Sequence, residues 1–160
     1  MTRLYGWGKT GERVEDYVPD VRFSRISIVS TIRLNGEQAP FVFNGTLNGE
    51  LFKQYIVEIL APTLNEGDIV VMDNLSSHKV KGVIEPILER GADVLYLPAY
   101  SPDLNPIELS WSKIKSILRK LKARTSDDLM KSIKTALDSI SLSDIANWFL
   151  HDGYNLTINV

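Results

Sequence analysis

Residues 69–79 read IVVMDNLSSHK, an unbroken apolar run that ends in a carboxylate at Asp73. A short β-branched run stopped by turn-forming residues is the pattern of a buried strand, predicted here over 68–73. A second run, Val94-Leu95-Tyr96-Leu97, closes at Pro98 and predicts another buried strand over 93–97. The residues between them predict a helix over 77–90, ended by Gly91. Two buried strands joined through a helix imply a parallel crossover.

Outward from this unit the pattern changes. Upstream, residues 23–33 and 39–43 form two apolar stretches around Asn35-Gly36, a hairpin signal, and so predict two antiparallel strands. Asn48 is placed to cap a helix running to about residue 60, with Leu51, Phe52, Tyr55, Ile56 and Ile59 at helical spacing and Pro62 as its stop. Downstream, helices are expected over 106–123, 126–140 and 143–150. The class is α/β, with a mixed sheet flanked by helices. Residues 1–20, with Gly6, Gly8 and Gly11 among charged residues, read as an irregular opening segment. Residues 21–123 carry the sheet and central helices, and 124–160 the C-terminal helices, within one domain spanning 1–160.

Composition narrows the chemistry. The chain has 160 residues, 44 % of them apolar, no cysteine and two histidines. That is enough for one core, and it excludes disulfides and thiolate metal sites. A bound metal would be held by oxygen or imidazole, and with only His78 and His151 a zinc site is not expected. No apolar run approaches the length of a membrane span, and the expectation is a cytoplasmic protein. The net charge of −2 argues against a nucleic-acid partner. Locally the balance reverses, because residues 113–124 hold Lys113, Lys115, Arg119, Lys120, Lys122 and Arg124 with no acid among them.

Two carboxylates stand at the ends of elements. Asp73 follows the first apolar run; taken alone it could be a turn or cap residue. Glu108 opens the helix after the second run, in YLPAYSPDLNPIELSWSKIK. Asn105, Pro106 and Glu108 fall at the N-cap, N1 and N3 positions, close to a capping box, which is the structural alternative for this Glu. No Lys or Arg lies three or four residues beyond it, so its carboxylate is open to a cation. Ile107, Trp111, Ile114, Leu118 and Leu121 recur as a core-facing stripe. Lys115, Arg119 and Lys122 lie on the adjoining face, as solubilising charges or as a ridge for phosphates. His78 reads as a cap or surface residue, and the amides of Asn74 and Asn105 could orient a carboxylate or water. Trp111, Trp148 and Tyr154 read as core or docking residues.

The combination of MDN with SSHK, followed by LPAYSPDLNPIE one helix and one strand later, resembles the DDE transposases of the mariner-like superfamily, and among them the bacterial insertion-sequence branch numbered six-thirty. The resemblance implies a ribonuclease H-like fold. It also implies metal-dependent cleavage and strand transfer of DNA at transposon ends, with Asp73 as the second catalytic Asp and Glu108 as the final Glu, both metal ligands. Two Mg²⁺ ions held by such carboxylates activate the attacking oxygen and stabilise the leaving one; Mn²⁺ is tolerated. Lys115, Arg119 and Lys122 become candidate DNA contacts, and Asn74, His78 and Asn105 supporting residues. The implied partners are transposon-end and target DNA and, when complete, further copies of the protein in a nucleoid-associated assembly.

The family's first Asp, on the first strand, has no counterpart here. Asp16 and Asp20 lie after the Gly-rich segment and outside any apolar strand, which sets them aside. The first strand is therefore expected to be missing from this chain, together with an upstream segment that carries it and the helix-turn-helix domains. On that ground the chain alone is expected to be inactive. The alternatives are a catalytically silent fragment that acts as a binding or regulatory module, and an unrelated metal-dependent phosphatase or nuclease using the same two carboxylates.

Overall fold

The computed structural model describes residues 6–15 and 25–154. Asp16, Asp20 and the start of the 23–33 stretch lie outside the described residues. Chain contacts divide the fold into two compact units, Ser24–Leu109 with Ser141–Val160, and Met1–Phe23 with Ser110–Ile140.

In the larger unit, β1 (Ile26–Val29) and β2 (Phe41–Asn44) pair antiparallel. The connection is tightened by a bridge between Ile32 and Gln38 and by a turn in which Gly36 takes φ +92°, a conformation that suits glycine. Helix α1 (Gly49–Tyr55) starts at Asn48, whose side chain accepts from the Leu51 amide at 2.8 Å. It continues through a π-helical turn, Ile56–Leu60, and a tight 3₁₀ turn, Ala61–Thr63, before extended backbone at Leu64. Pro62 thus sits inside the closing turn, not at its boundary.

Strands β3 (Ile69–Met72) and β4 (Asp93–Tyr96) pair parallel, Val70 opposite Val94 and Met72 opposite Tyr96. Hydrogen bonds from Asp93 N to Asp68 O and from Leu97 N to Met72 O, both 2.8 Å, extend the ladder. The core of this unit is Phe52, Tyr55, Ile56, Leu60, Leu64, Val70, Met72, Val83, Ile87 and Ala92. Burying each of the larger side chains stabilises the fold by about 1.5–3 kcal/mol. The hairpin is fastened to β3 by Arg33, which donates to both oxygens of Asp68 and to the Thr63 carbonyl.

Three expectations are corrected. The sheet is not continuous: among the described residues β1–β2 and β3–β4 are two separate two-stranded sheets. The parallel strands are buried on one face only, with Ile69 64 % and Leu95 53 % exposed on the other. The helix expected over 77–90 is broken into a 3₁₀ turn, Ser76–Lys79, and a single turn, α2 (Glu85–Leu88). Gly82 at φ +92° interrupts it, and Pro86, which cannot donate a backbone bond, has to stand in a first turn.

Helix α3 (Ile107–Leu121) begins in the larger unit and continues in the smaller one. Ile114 and Leu118 of its apolar stripe are buried, while Leu121 is 46 % exposed. In the smaller unit α4 (Ser126–Asp138) is capped by Thr125, which accepts from the Asp128 amide, and buries Ser132, Ile133 and Ala136. Lys113 Nζ donates to the Ser139 carbonyl at 3.0 Å. The larger unit closes with α5 (Leu142–His151), whose N-terminus has a capping box between Ser141 and Asp144. Among the described residues no helix is long and apolar enough to cross a membrane.

Candidate active site

Because β3 and β4 are parallel and in register, their carboxyl ends leave the sheet at the same edge. Asp73 is the first residue beyond β3 there. From β4 the chain passes through Leu97 and Pro98 and a 3₁₀ turn, Pro102–Leu104, and then opens α3 with Glu108 in its first turn. This return brings the second carboxylate back to the first. Asp73, Asn74, Asn105 and Glu108 line one cleft of about 370 Å³, with Leu75 and the 98–102 loop completing its wall. The loop is held from the C-terminal side by Tyr154, whose hydroxyl donates to the Leu104 carbonyl at 2.8 Å while its ring meets Phe149 edge-on.

The two carboxylates are prepared differently. Asp73 is half exposed, and its Oδ1 accepts from the Leu75 amide at 3.2 Å and lies 2.7 Å from His78 Nδ1. Glu108 is exposed, and its side chain has no hydrogen-bond or ion-pair partner among the described residues. The capping box is therefore not formed. Asn105 is extended as an N-cap should be, and the Glu108 amide donates to its carbonyl at 2.9 Å, but the Glu108 side chain does not reach back.

His78 departs from its expected place as a cap or surface residue, since its side chain is only 13 % exposed and its ring stacks on Phe52 at 4.1 Å. Lys115 and Lys122 are exposed and Arg119 half-buried; Lys115 and Arg119 stand on the part of α3 that belongs to the smaller unit, and Lys122 follows its last residue. They are not among the residues that line the cleft. Lys122 takes φ +48° just beyond α3 and borders a separate hollow of about 410 Å³ with Arg124 and Lys131. Sequence reasoning missed Tyr100, which lines the cleft fully exposed at φ +60°. No residue signal marks it, because a positive φ is read from Gly, Asn or Asp and not from Tyr.

The donors suit a hard divalent cation in kind: two carboxylates, one of them without a protein partner, and two amide side chains on one cleft. In number they fall short. Among the described residues no group of three His, Cys, Asp or Glu is placed to share an ion.

Comparison with known proteins decides the family. Residues 1–130 match the profile of the DDE superfamily endonucleases. The chain belongs to that family. It is similar to two curated transposases of the nematode Caenorhabditis briggsae. With the transposable element Tcb2 transposase it is 29 % identical over 83 residues, covering 52 % of this chain and 30 % of the relative. With the Tcb1 transposase it is 24 % identical over 103 residues, covering 62 % and 38 %. The crystal structure of the Mos1 strand transfer complex superposes with a TM-score of 0.66 at 17 % identity, over 93 % of this chain and 46 % of that one. At that identity the likeness concerns the fold, and it agrees with the ribonuclease H-like class expected from the sequence. The chain spans about a third of the length of the curated relatives it matches. The family to which it belongs uses divalent metal ions.

Proposed function

We propose that this chain is the later part of a transposase catalytic domain, which cleaves DNA at transposon ends and transfers the strand. The observation that supports it most is the meeting of Asp73 and Glu108 in one cleft from elements far apart in sequence. These two side chains are the proposed ligands for Mg²⁺, with Mn²⁺ as a substitute. When bound, such ions activate the attacking oxygen and neutralise charge on the leaving one.

The chain's own part is positional. Asp73 directly follows a strand and Glu108 stands in the first turn of a helix, so both carboxylates are carried at the ends of regular elements. The amides of Asn74 and Asn105 can orient water or a phosphate oxygen within the same walls. Lys115, Arg119 and Lys122 are proposed to bind DNA phosphates, as their charge and their succession along and just beyond α3 allow. The proposed partners are transposon-end and target DNA, an upstream segment that supplies the first Asp and the helix-turn-helix domains, and further copies of the complete protein. A cytoplasmic, nucleoid-associated location follows from that role.

The test is Mn²⁺ binding followed by DNA nicking. Mn²⁺ should broaden the amide resonances around Asn74 in the wild type and leave them sharp in Asp73→Asn. Nicking of element-end DNA should require the chain together with a strand bearing an Asp, and should vanish in Glu108→Gln. A second reading, a silent binding or regulatory module, is favoured by the lack of a third acidic or imidazole donor beside the two carboxylates among the described residues. It expects no nicking under any supplementation, and DNA or protein binding unchanged by Asp73→Asn.

A further inference from the structure

The Asp73 carboxylate makes all its protein contacts through one oxygen. Oδ1 accepts from the Leu75 amide and lies 2.7 Å from His78 Nδ1; Oδ2 has no partner among the described residues. Nδ1 of His78 is shielded from solvent, and its approach to Asp73 lies off the axis of a well-formed hydrogen bond, so that it has no properly angled partner. Leaving a buried ring nitrogen so poorly paired is destabilising. A histidine retained only for packing would gain nothing from that placement.

Three contacts hold the ring and its turn where they are. The Phe52 ring of α1 stacks on it at 4.1 Å and 28°. Tyr96, at the end of β4, donates from its hydroxyl to the His78 backbone carbonyl at 2.8 Å. At the start of α1, Gly49 lies so close to Val80 that there is no room for a Cβ, which lets the turn carrying His78 pack tight against the helix. Helix, strand and turn thus converge on an imidazole whose polar edge faces the candidate catalytic carboxylate.

We propose that His78 is the positioning residue of Asp73: its imidazole, 2.7 Å from Oδ1, restrains that side of the carboxylate and leaves Oδ2 to bind a divalent cation. This rests on the reading of Asp73 as a cation ligand. Groups that orient a liganding side chain from behind typically contribute 10- to 100-fold to metal affinity.

The experiment titrates the full chain, isotopically labelled, with Mn²⁺ alone and follows paramagnetic broadening of the Asn74 amide, alongside thermal unfolding of each variant. Millimolar concentrations suffice to detect weak binding. His78→Ala should need about ten-fold more Mn²⁺ than the wild type for equal broadening. His78→Asn, whose side-chain N–H can occupy the place of Nδ1, should recover most of that loss at a similar melting temperature. Should His78→Ala fail to fold, His78→Asn and Tyr96→Phe carry the comparison: the first should bind nearly as the wild type does, and the second, freeing the turn, more weakly. The inference is overturned if His78→Ala titrates as the wild type, or if folded His78→Asn binds more than about ten-fold weaker. It is equally overturned if, with His78→Ala unfolded, Tyr96→Phe binds as the wild type. If Asp73→Asn leaves the broadening unchanged, or the wild type shows none, the cation reading of Asp73 falls and takes this inference with it. If Asp73→Asn abolishes the broadening while His78→Ala does not, the positioning role alone falls.

Discussion

The Tyr96 hydroxyl donates to the backbone carbonyl of His78 at 2.8 Å, joining the end of β4 to the turn that follows β3. The two parallel strands are thereby tied together beyond their ladder, at the edge where Asp73 leaves the sheet. Lys79 adds to the contact, its Nζ 5.5 Å from the centre of the Tyr96 ring.

Tyr96→Phe deletes this tie while keeping the ring. Because the carbonyl it serves is only partly shielded, the expected loss is about 1 kcal/mol of unfolding free energy. Urea denaturation of the variant beside the wild type measures it. A change below about 0.3 kcal/mol would mean that water replaces the hydroxyl without loss.

Alkaline unfolding should follow Tyr55. Burial raises its pKa to about 12, with a hydrogen bond from Thr31 opposing the rise, and its hydroxyl donates to the Ala39 carbonyl at 2.8 Å. The folded state therefore holds this proton more tightly than the unfolded chain, whose tyrosine titrates near 10. The stabilisation is complete below pH ~10 and is lost as pH rises toward 12, by roughly 2–3 kcal/mol in total. Tyr55→Phe should be less stable at pH 7 and should lose less between pH 10 and 12.

Asp68 sets the acid side. Hydrogen bonds from Arg33 hold its carboxyl below the ordinary carboxylate range, with a further bond from the Asn65 amide. A carboxylate with a lowered folded pKa stabilises the fold above its unfolded value of about 4 and loses that contribution as pH falls through the folded value. Arg33→Met should flatten the decline in stability below pH ~4 while lowering stability at pH 7. An unchanged acid slope would remove Arg33 as its cause.

Glu108→Gln offers the converse. The side chain is exposed and has no partner among the described residues, so its replacement should move stability by no more than about 0.5 kcal/mol. Mn²⁺ binding at the cleft should weaken all the same. A loss of stability above about 1 kcal/mol would show that Glu108 works as a structural cap instead.

The parallel pair was legible because its two apolar runs carry their own boundaries, Asp73 and Pro98; strand direction sends both chain exits to one edge, and the return through 98–107 brings Glu108 to the cleft that Asp73 lines. The break over 80–84 was less so. Val83 and Ile87 keep helical spacing and are both buried, so the hydrophobic pattern survives although the chain turns at Gly82 between Lys81 and Val83. Separation into two sheets could not be read from either strand, since pairing depends on neighbours and not on the run itself. The burial of His78 was invisible for a similar reason: Phe52, which covers it, sits on another helix, and nothing in SSHK signals an aromatic lid.

Tyr100 gives the cleft an unequal distribution of stability. A left-handed backbone costs a non-glycine residue about 1 kcal/mol, and a ring standing wholly in solvent returns nothing by burial. Glycine at this position would relieve the strain at no cost in packing, set against glycine's larger loss of backbone entropy on folding. The fold's own packing therefore asks for no aromatic ring at position 100, and the place of Tyr100 on the rim of the cleft is what sets it apart.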